Sequence, residues 1–225
     1  MTTIAYSPWG NGRSVYPFDK LFDNAIDARE HGLSTADAFL LWGGTDIHPS
    51  FYGQTAHRFS GAPTLPSERD LWEWKAMKYC KAKGIPIIGV CRGAQFMCAF
   101  AGGSLIQHVT GHVEGSHPVV TASGELFSVT SSHHQMLDVH ETNHELIAWT
   151  PKRLSSVYYQ ETNCSSAHMG KAVLNDEFKE PEIVFFPDIK GLAIQGHPEW
   201  ADEDSEFVTV TLNLVQEYLF AEEWN

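Results

Sequence analysis

The sequence predicts a single α/β domain, 1–225, built on a mostly parallel central sheet flanked by helices, with extra antiparallel strands. Three observations carry this. Short apolar runs alternate with segments of helical period in the first half. Turn residues cut the second half into brief strands. No repeat, low-complexity linker or composition shift divides the 225 residues, of which 43% are hydrophobic, enough for one substantial core.

Ala38 to Trp42 is an apolar run ending at Gly43 and Gly44, which predicts a buried strand opening into a loop that needs permissive backbone angles. Ser67 can cap a helix over Glu68 to Lys83, with Leu71, Trp74, Met77 and the stem of Lys78 as its apolar face and Gly84 as its stop. Pro86 to Val90 is too short and too apolar for a surface helix and predicts a central strand. Helical character resumes over Gln95 to Ala101 and stops at Gly102 and Gly103. Further strands are expected at Pro118 to Thr121, Leu126 to Thr130, Glu145 to Trp149, Ser156 to Gln160, Glu182 to Phe186 and Gly191 to Gln195. A closing helix over Asp202 to Phe220, acidic in its first turns, would lay Phe207, Val210, Leu214 and Leu219 on the sheet.

Composition narrows the function classes. No run reaches the roughly 18 to 20 apolar residues of a membrane helix, and the start has neither a basic nor an apolar targeting region, so a soluble, unprocessed chain away from membranes is expected. Cys80, Cys91, Cys98 and Cys164 form no closely spaced pair, which fits a reducing, cytoplasmic setting. With 15 Lys and Arg against 28 Asp and Glu, the net charge of −13 would repel a polyanion, so nucleic-acid binding is not expected.

Chemistry concentrates at Ile85 to Gln95. A strand running straight into Cys91, then Arg92, Gly93 and a helix, has the form of a nucleophile elbow. At a helix N-terminus beside Arg92, the thiol pKa is expected to fall toward neutrality. On this pattern alone Cys91 reads equally well as a nucleophile or as a buried small hydrophobe. His197, at the end of the apolar run Leu192 to Gln195, is the candidate base, and Glu199 could turn back across Pro198 to orient its ring. An isolated His-x-Glu is more often a surface turn than a catalytic pair; the pairing with Cys91 singles it out. His133 is the rival base, without a carboxylate near it in sequence. Cys80, Cys98 and Cys164 lack the strand-to-helix setting and read as structural.

Gly-Val-Cys91-Arg-Gly-Ala-Gln followed by His197-Pro198-Glu199 resembles the class I glutamine amidotransferase superfamily, and Cys-Arg-Gly is similar to its γ-glutamyl-γ-aminobutyrate hydrolase branch, peptidase C26. Leu40 to Gly53 resembles that branch's LLPGGxDvxPxxYG segment, Arg69 to Glu73 its RDxxE, Gly102 to Gln107 its GGxLxQD, and Ser131 to Gln135 its SxHHQ loop. The resemblance implies a flavodoxin-like fold and hydrolysis of γ-glutamyl amides through a γ-glutamyl thioester. It implies a Cys91, His197, Glu199 triad, and an oxyanion hole from the amides of Gly43 or Gly44 and Arg92. Substrate contacts would come from Gln95, Ser131, Ser132 and His133. Glutamine is the alternative substrate, with ammonia passed to a separate synthetase partner; a binding module that keeps the pocket without turnover is a third reading, and a homodimer stays open.

Trp42 stands where the branch usually has Pro, Thr130 where it has Asn, and His108 where Asp follows Gln107; the first two are expected to flank the pocket and bear on the leaving group. His108, His112 and His117, with His48 and His57, suggest a metal, but Gly111 and Gly115 keep them off one helix face and no cysteine joins them, so neither metal nor cofactor is expected.

Overall fold

Strands that are apolar at every position are stable only with both sheet faces covered, and that requirement organises this chain. The computed structural model describes residues 1–11, 14–113, 115–160, 174 and 177–221. The first half holds β1 (Thr3–Tyr6), β2 (Asn24–Asp27), α1 (Ala28–His31), β3 (Ala38–Leu41), α2 (Glu68–Lys83), β4 (Ile87–Val90), α3 (Arg92–Phe100), β5 (Ser104–Ile106) and β6 (His108–Val109). The second holds β7 (Ser116–Thr121), β8 (Leu126–Thr130), β9 (Met136–Asp138), β10 (Glu145–Trp149), β11 (Tyr158–Tyr159), β12 (Pro181–Phe186), β13 (Gly191–Ile194) and α4 (Glu206–Val215).

Nine strands form one sheet in the order β2-β1-β3-β4-β13-β12-β10-β7-β8. β2 to β13 pair in parallel, and from β13 onward every pairing is antiparallel. β5 with β9 and β6 with β11 make two small ribbons. Alternate residues of β3 divide between two cores. Phe39 and Leu41 pack with Met77, Cys80, Phe96 and Met97 beneath α2 and α3; Ala38 and Leu40 pack with Phe18, Phe207, Val215 and Leu219 on the α4 face. α3 lies so close to the sheet that a Cβ at Gly93 would stand 2.3 Å from the Leu41 carbonyl oxygen.

The expected central elements are present, with corrections at their edges. α3 begins at Arg92 rather than Gln95, the Ser156 to Gln160 run keeps only Tyr158–Tyr159 as strand, and α4 begins at Glu206 behind its Ser205 cap. It ends in a wider π turn, Gln216–Phe220. β1 and β2 were not foreseen: their mixed sequences lack the uninterrupted apolar runs of β3 and β4.

α2 departs further from expectation. Leu71 is 50% exposed, while Asp70, Glu73, Ala76, Met77 and Cys80 are buried. A polar-looking face turns inward because Arg92, 2% exposed, ion-pairs there with Asp70 and Glu73, each at 2.5 Å. Removing one member of such a buried network costs about 3–5 kcal/mol, because the remaining charges stay in the core. Cys80 and Cys98 are buried in this core, as structural cysteines should be; Cys164 lies outside the described residues.

Candidate active site

The parallel half places its loops at the carboxyl ends of β3, β4 and β13, where open α/β sheets gather their ligands. At the end of β4, Cys91 takes φ 51° and ψ −105°, a conformation a non-glycine residue adopts only under constraint. That sharp turn lifts the side chain over the start of α3. Beyond β13, His197 Nδ1 stands 2.8 Å from Glu199 Oε1, both side chains nearly buried. A carboxylate only accepts, so Nδ1 carries a proton, and in the neutral ring Nε2 keeps its lone pair.

Gly43 lies between the two groups. A Cβ there would stand 2.9 Å from His197 Cε1 and 3.5 Å from Cys91 Cβ, so only glycine leaves the gap open. Cys91, Gly43, Gly44, His197 and Glu199 share one open cavity of about 330 Å³ with Gly10, Asn11, Ser132 and Trp200. Arg69 donates from Nη2 to the Trp42 carbonyl at 2.7 Å and from Nη1 to the Gly43 carbonyl at 3.0 Å. Planar trans peptides then turn the amides of Gly43 and Gly44 away from the guanidinium. Glu73 fixes Arg69 in turn, 2.9 Å from its Nε.

The thiol is not depressed as expected. Burial pushes Cys91 up to about 12; the Arg92 amide pulls the other way, and the Glu199, Asp46 and Glu182 carboxylates add to the rise. The Arg92 side chain offers no cationic help, since it is neutralised by Asp70 and Glu73. Desolvation outweighs the helix terminus, so a thiolate here needs a proton acceptor beside it.

Ser132 is the one member of the expected substrate set that lines the cavity. Gln95 is 3% exposed and donates to the Gln135 carbonyl at 3.2 Å and to Gln195 Oε1 at 3.4 Å. The Ser131 hydroxyl donates to the His112 carbonyl at 2.6 Å. His133 is buried, with Nδ1 donating to the Gln135 carbonyl at 2.8 Å and Nε2 lying 3.6 Å from Glu182 Oε1, and burial holds its pKa down against the pull of that carboxylate. Trp42 is fully buried against Phe18 rather than flanking the cavity. Thr130 acts on His197 instead of the leaving-group side: its hydroxyl donates to the His197 carbonyl, and its own carbonyl accepts from the His197 amide at 3.1 Å.

Gly10, Asn11 and Trp200 were missed by sequence reasoning. Trp200 stacks on the His197 ring at 3.7 Å, with 5° between the planes, and is 57% exposed. Its place directly after His-Pro-Glu was the available signal; Gly10 and Asn11 follow β1, which itself went unrecognised.

Residues 21–169 match the peptidase C26 family. A Mycobacterium tuberculosis protein provisionally named a glutamine amidotransferase is 34% identical over 125 residues, 47% of this chain and 40% of its own length. The γ-glutamyl-CDP-amidate hydrolase of Campylobacter jejuni is 36% identical over 91 residues, 40% of each chain. The chain thus spans less than half the length of these relatives. The crystal structure of a Thermotoga maritima glutamine amidotransferase superposes with a TM-score of 0.64 at 12% identity, covering 98% of this chain and 99% of that one, a likeness of fold.

Proposed function

Because the chain belongs to the peptidase C26 family, we propose that it hydrolyses γ-glutamyl amide bonds through a γ-glutamyl thioester on Cys91. One observation carries the reading: a cysteine on a strained elbow and an imidazole oriented by a carboxylate at 2.8 Å meet across Gly43 at an open cavity. His197 Nε2 takes the thiol proton as sulfur attacks the amide carbon, so the buried thiol ionises only as the bond forms. The carbonyl oxygen becomes an oxyanion facing the amides of Arg92 and of Gly43 or Gly44. The C–N bond then breaks, and His197 returns its proton to the departing amine. Water, deprotonated by the same imidazole, attacks the thioester; glutamate leaves and the thiol is restored. Glu199 keeps the imidazole in the required tautomer and stabilises the imidazolium. Asn11, Ser132 and Trp200 border the space for the amine.

The test is steady-state glutamate release from glutamine and a series of γ-glutamyl amines by the purified chain, expected at roughly 1 to 1,000 per second for the best amine. Glutamine is not expected to be that substrate. A diazo-ketone analogue of glutamine should label Cys91 and leave Cys80 and Cys98 unmodified. Turnover that appears only when lysate from the native source is added would instead assign a glutaminase coupled to a separate synthetase.

A further inference from the structure

Where β10 ends, four side chains converge that do not line the cavity and that the proposed reaction does not use. His112 lies in the loop after β6, His117 on β7, His133 in the loop after β8, and Glu182 on β12. Glu182 is the extra residue of a β-bulge, between partners Ala148↔Ile183 and Trp149↔Pro181, and such a bulge re-aims a side chain. All four are buried, and one ligand atom of each lies within 4.8 Å of the others. We propose that His112, His117, His133 and Glu182 form a structural site for a divalent transition-metal ion of the zinc class.

Hydrogen bonding supports the assignment. His133 Nδ1 donates to the Gln135 carbonyl at 2.8 Å and His117 Nδ1 to the Pro118 carbonyl at 3.4 Å, since carbonyls only accept. In the neutral rings, Nε2 of each then presents a lone pair to Glu182 Oε1, at 3.6 Å from His133 and 3.3 Å from His117. Acceptors facing an acceptor repel unless a cation lies between them. His112 Nδ1 stands 3.2 Å from the same oxygen. None of these ring atoms, nor either oxygen of Glu182, has a hydrogen-bond partner among the described residues. The neighbouring Glu180 is the contrast: Thr150, Leu154, Ser155 and Tyr158 donate to it at 2.6–2.9 Å. One buried glutamate is saturated by protein donors, and the other is not.

The distances fit an ion. Metal–ligand bonds of about 2.0–2.1 Å in a tetrahedron put ligand atoms about 3.4 Å apart. The three nitrogens lie 3.2, 3.3 and 3.6 Å from Glu182 Oε1. Imidazoles with one carboxylate suit zinc, cobalt, nickel or iron(II), and carbonyls behind two of the rings set their tautomers. Four protein ligands in a sealed setting leave no open position, which marks a structural centre rather than a catalytic one. The ion would tie β7 and β12 to the Ser131–Gln135 loop, which carries Ser132 to the cavity.

The experiment is metal analysis of the purified full chain, followed by cobalt(II) titration of chelator-treated protein monitored by its visible spectrum. Expected is about one ion per chain with the intense bands of tetrahedral cobalt. His117→Gln and Glu182→Gln should each weaken binding at least about 100-fold, while His134→Gln retains it. If either variant fails to fold, His117→Cys should keep the ion and add a thiolate-to-cobalt band. Absence of stoichiometric binding by folded wild-type protein, or a spectrum unchanged in His117→Gln and Glu182→Gln, overturns the proposal and leaves a cluster held by protons alone. Neither result depends on the reading of Cys91.

Discussion

Two assemblies of histidine and glutamate sit on this sheet, made of the same side chains and exposed to different surroundings. His197 and Glu199 border an open cavity beside Cys91, whereas His112, His117, His133 and Glu182 are sealed in the antiparallel half. The end of β8 and the loop after it serve both: Thr130 holds the His197 backbone, Ser132 reaches the cavity, and His133 faces Glu182. An open imidazole can exchange a proton with a substrate. A sealed one cannot, so its contribution is confined to holding charge in place. The comparison predicts that substitutions in the first assembly change turnover and those in the second change stability.

The largest effect expected is loss of turnover in Cys91→Ala, with His197→Ala lowering kcat on the order of 10⁴-fold and both proteins retaining the wild-type melting temperature within a few degrees. Comparable activity loss in His133→Ala, with His197→Ala active, would hand the base to the sealed assembly and break the division. Glu199→Gln should cost less, on the order of 10²-fold in kcat, because the imidazole survives without its orienting charge.

Gly43→Ala tests whether the gap between thiol and imidazole matters. Its methyl would press on His197 Cε1, and kcat should fall on the order of 10²-fold with little change in the unfolding midpoint. Arg69→Lys addresses the same loop from behind, since a lysine cannot grip two carbonyls and Glu73 together; kcat should fall while KM moves little.

For the sealed assembly, chelation of the proposed ion should lower Tm. An ion at a hundred times its Kd contributes about 2.7 kcal/mol, which for a chain of this size corresponds to roughly 5–11 °C. Residual kcat under substrate saturation should change by less than about tenfold, since no reacting group is removed. A purely catalytic effect of chelation, with Tm unmoved, would contradict the comparison.

The smallest effect sharpens the account of Cys91. With the folded pKa near 12, the ultraviolet thiolate absorbance assigned by difference from Cys91→Ser should be flat from pH 5 to about 9. The sign for stability follows: the folded pKa lies above that of the unfolded thiol. The native state therefore holds its proton longer, and this stabilisation is lost as pH rises from about 9 toward 12. A thiolate step near neutrality would restore the helix terminus as the dominant influence.

Local pattern was enough for what chain neighbours decide. The apolar runs at Ala38–Leu41, Ile87–Val90 and Gly191–Ile194 became the central parallel strands, and the strand-to-helix turn at Cys91 and the carboxylate two residues beyond His197 were both legible, because each is set by a few adjacent residues. What needed distant segments was not. Gly10 and Asn11 reach the cavity from the loop after a strand too mixed to recognise, and Asp70 and Glu73 turn inward only because Arg92 arrives from another helix. The thiol pKa depends on burial, which no adjacent residue encodes. Histidines show the same limit. His112 and His117 were grouped with neighbouring His108 and with the more distant His48 and His57, yet His108 and His57 both stack on Tyr159, and His48 caps a short turn. Their actual partners, His133 and Glu182, come from other parts of the chain. Strand order and one bulge bring them together, because pairing across a sheet is decided by which surfaces must be buried rather than by distance along the sequence.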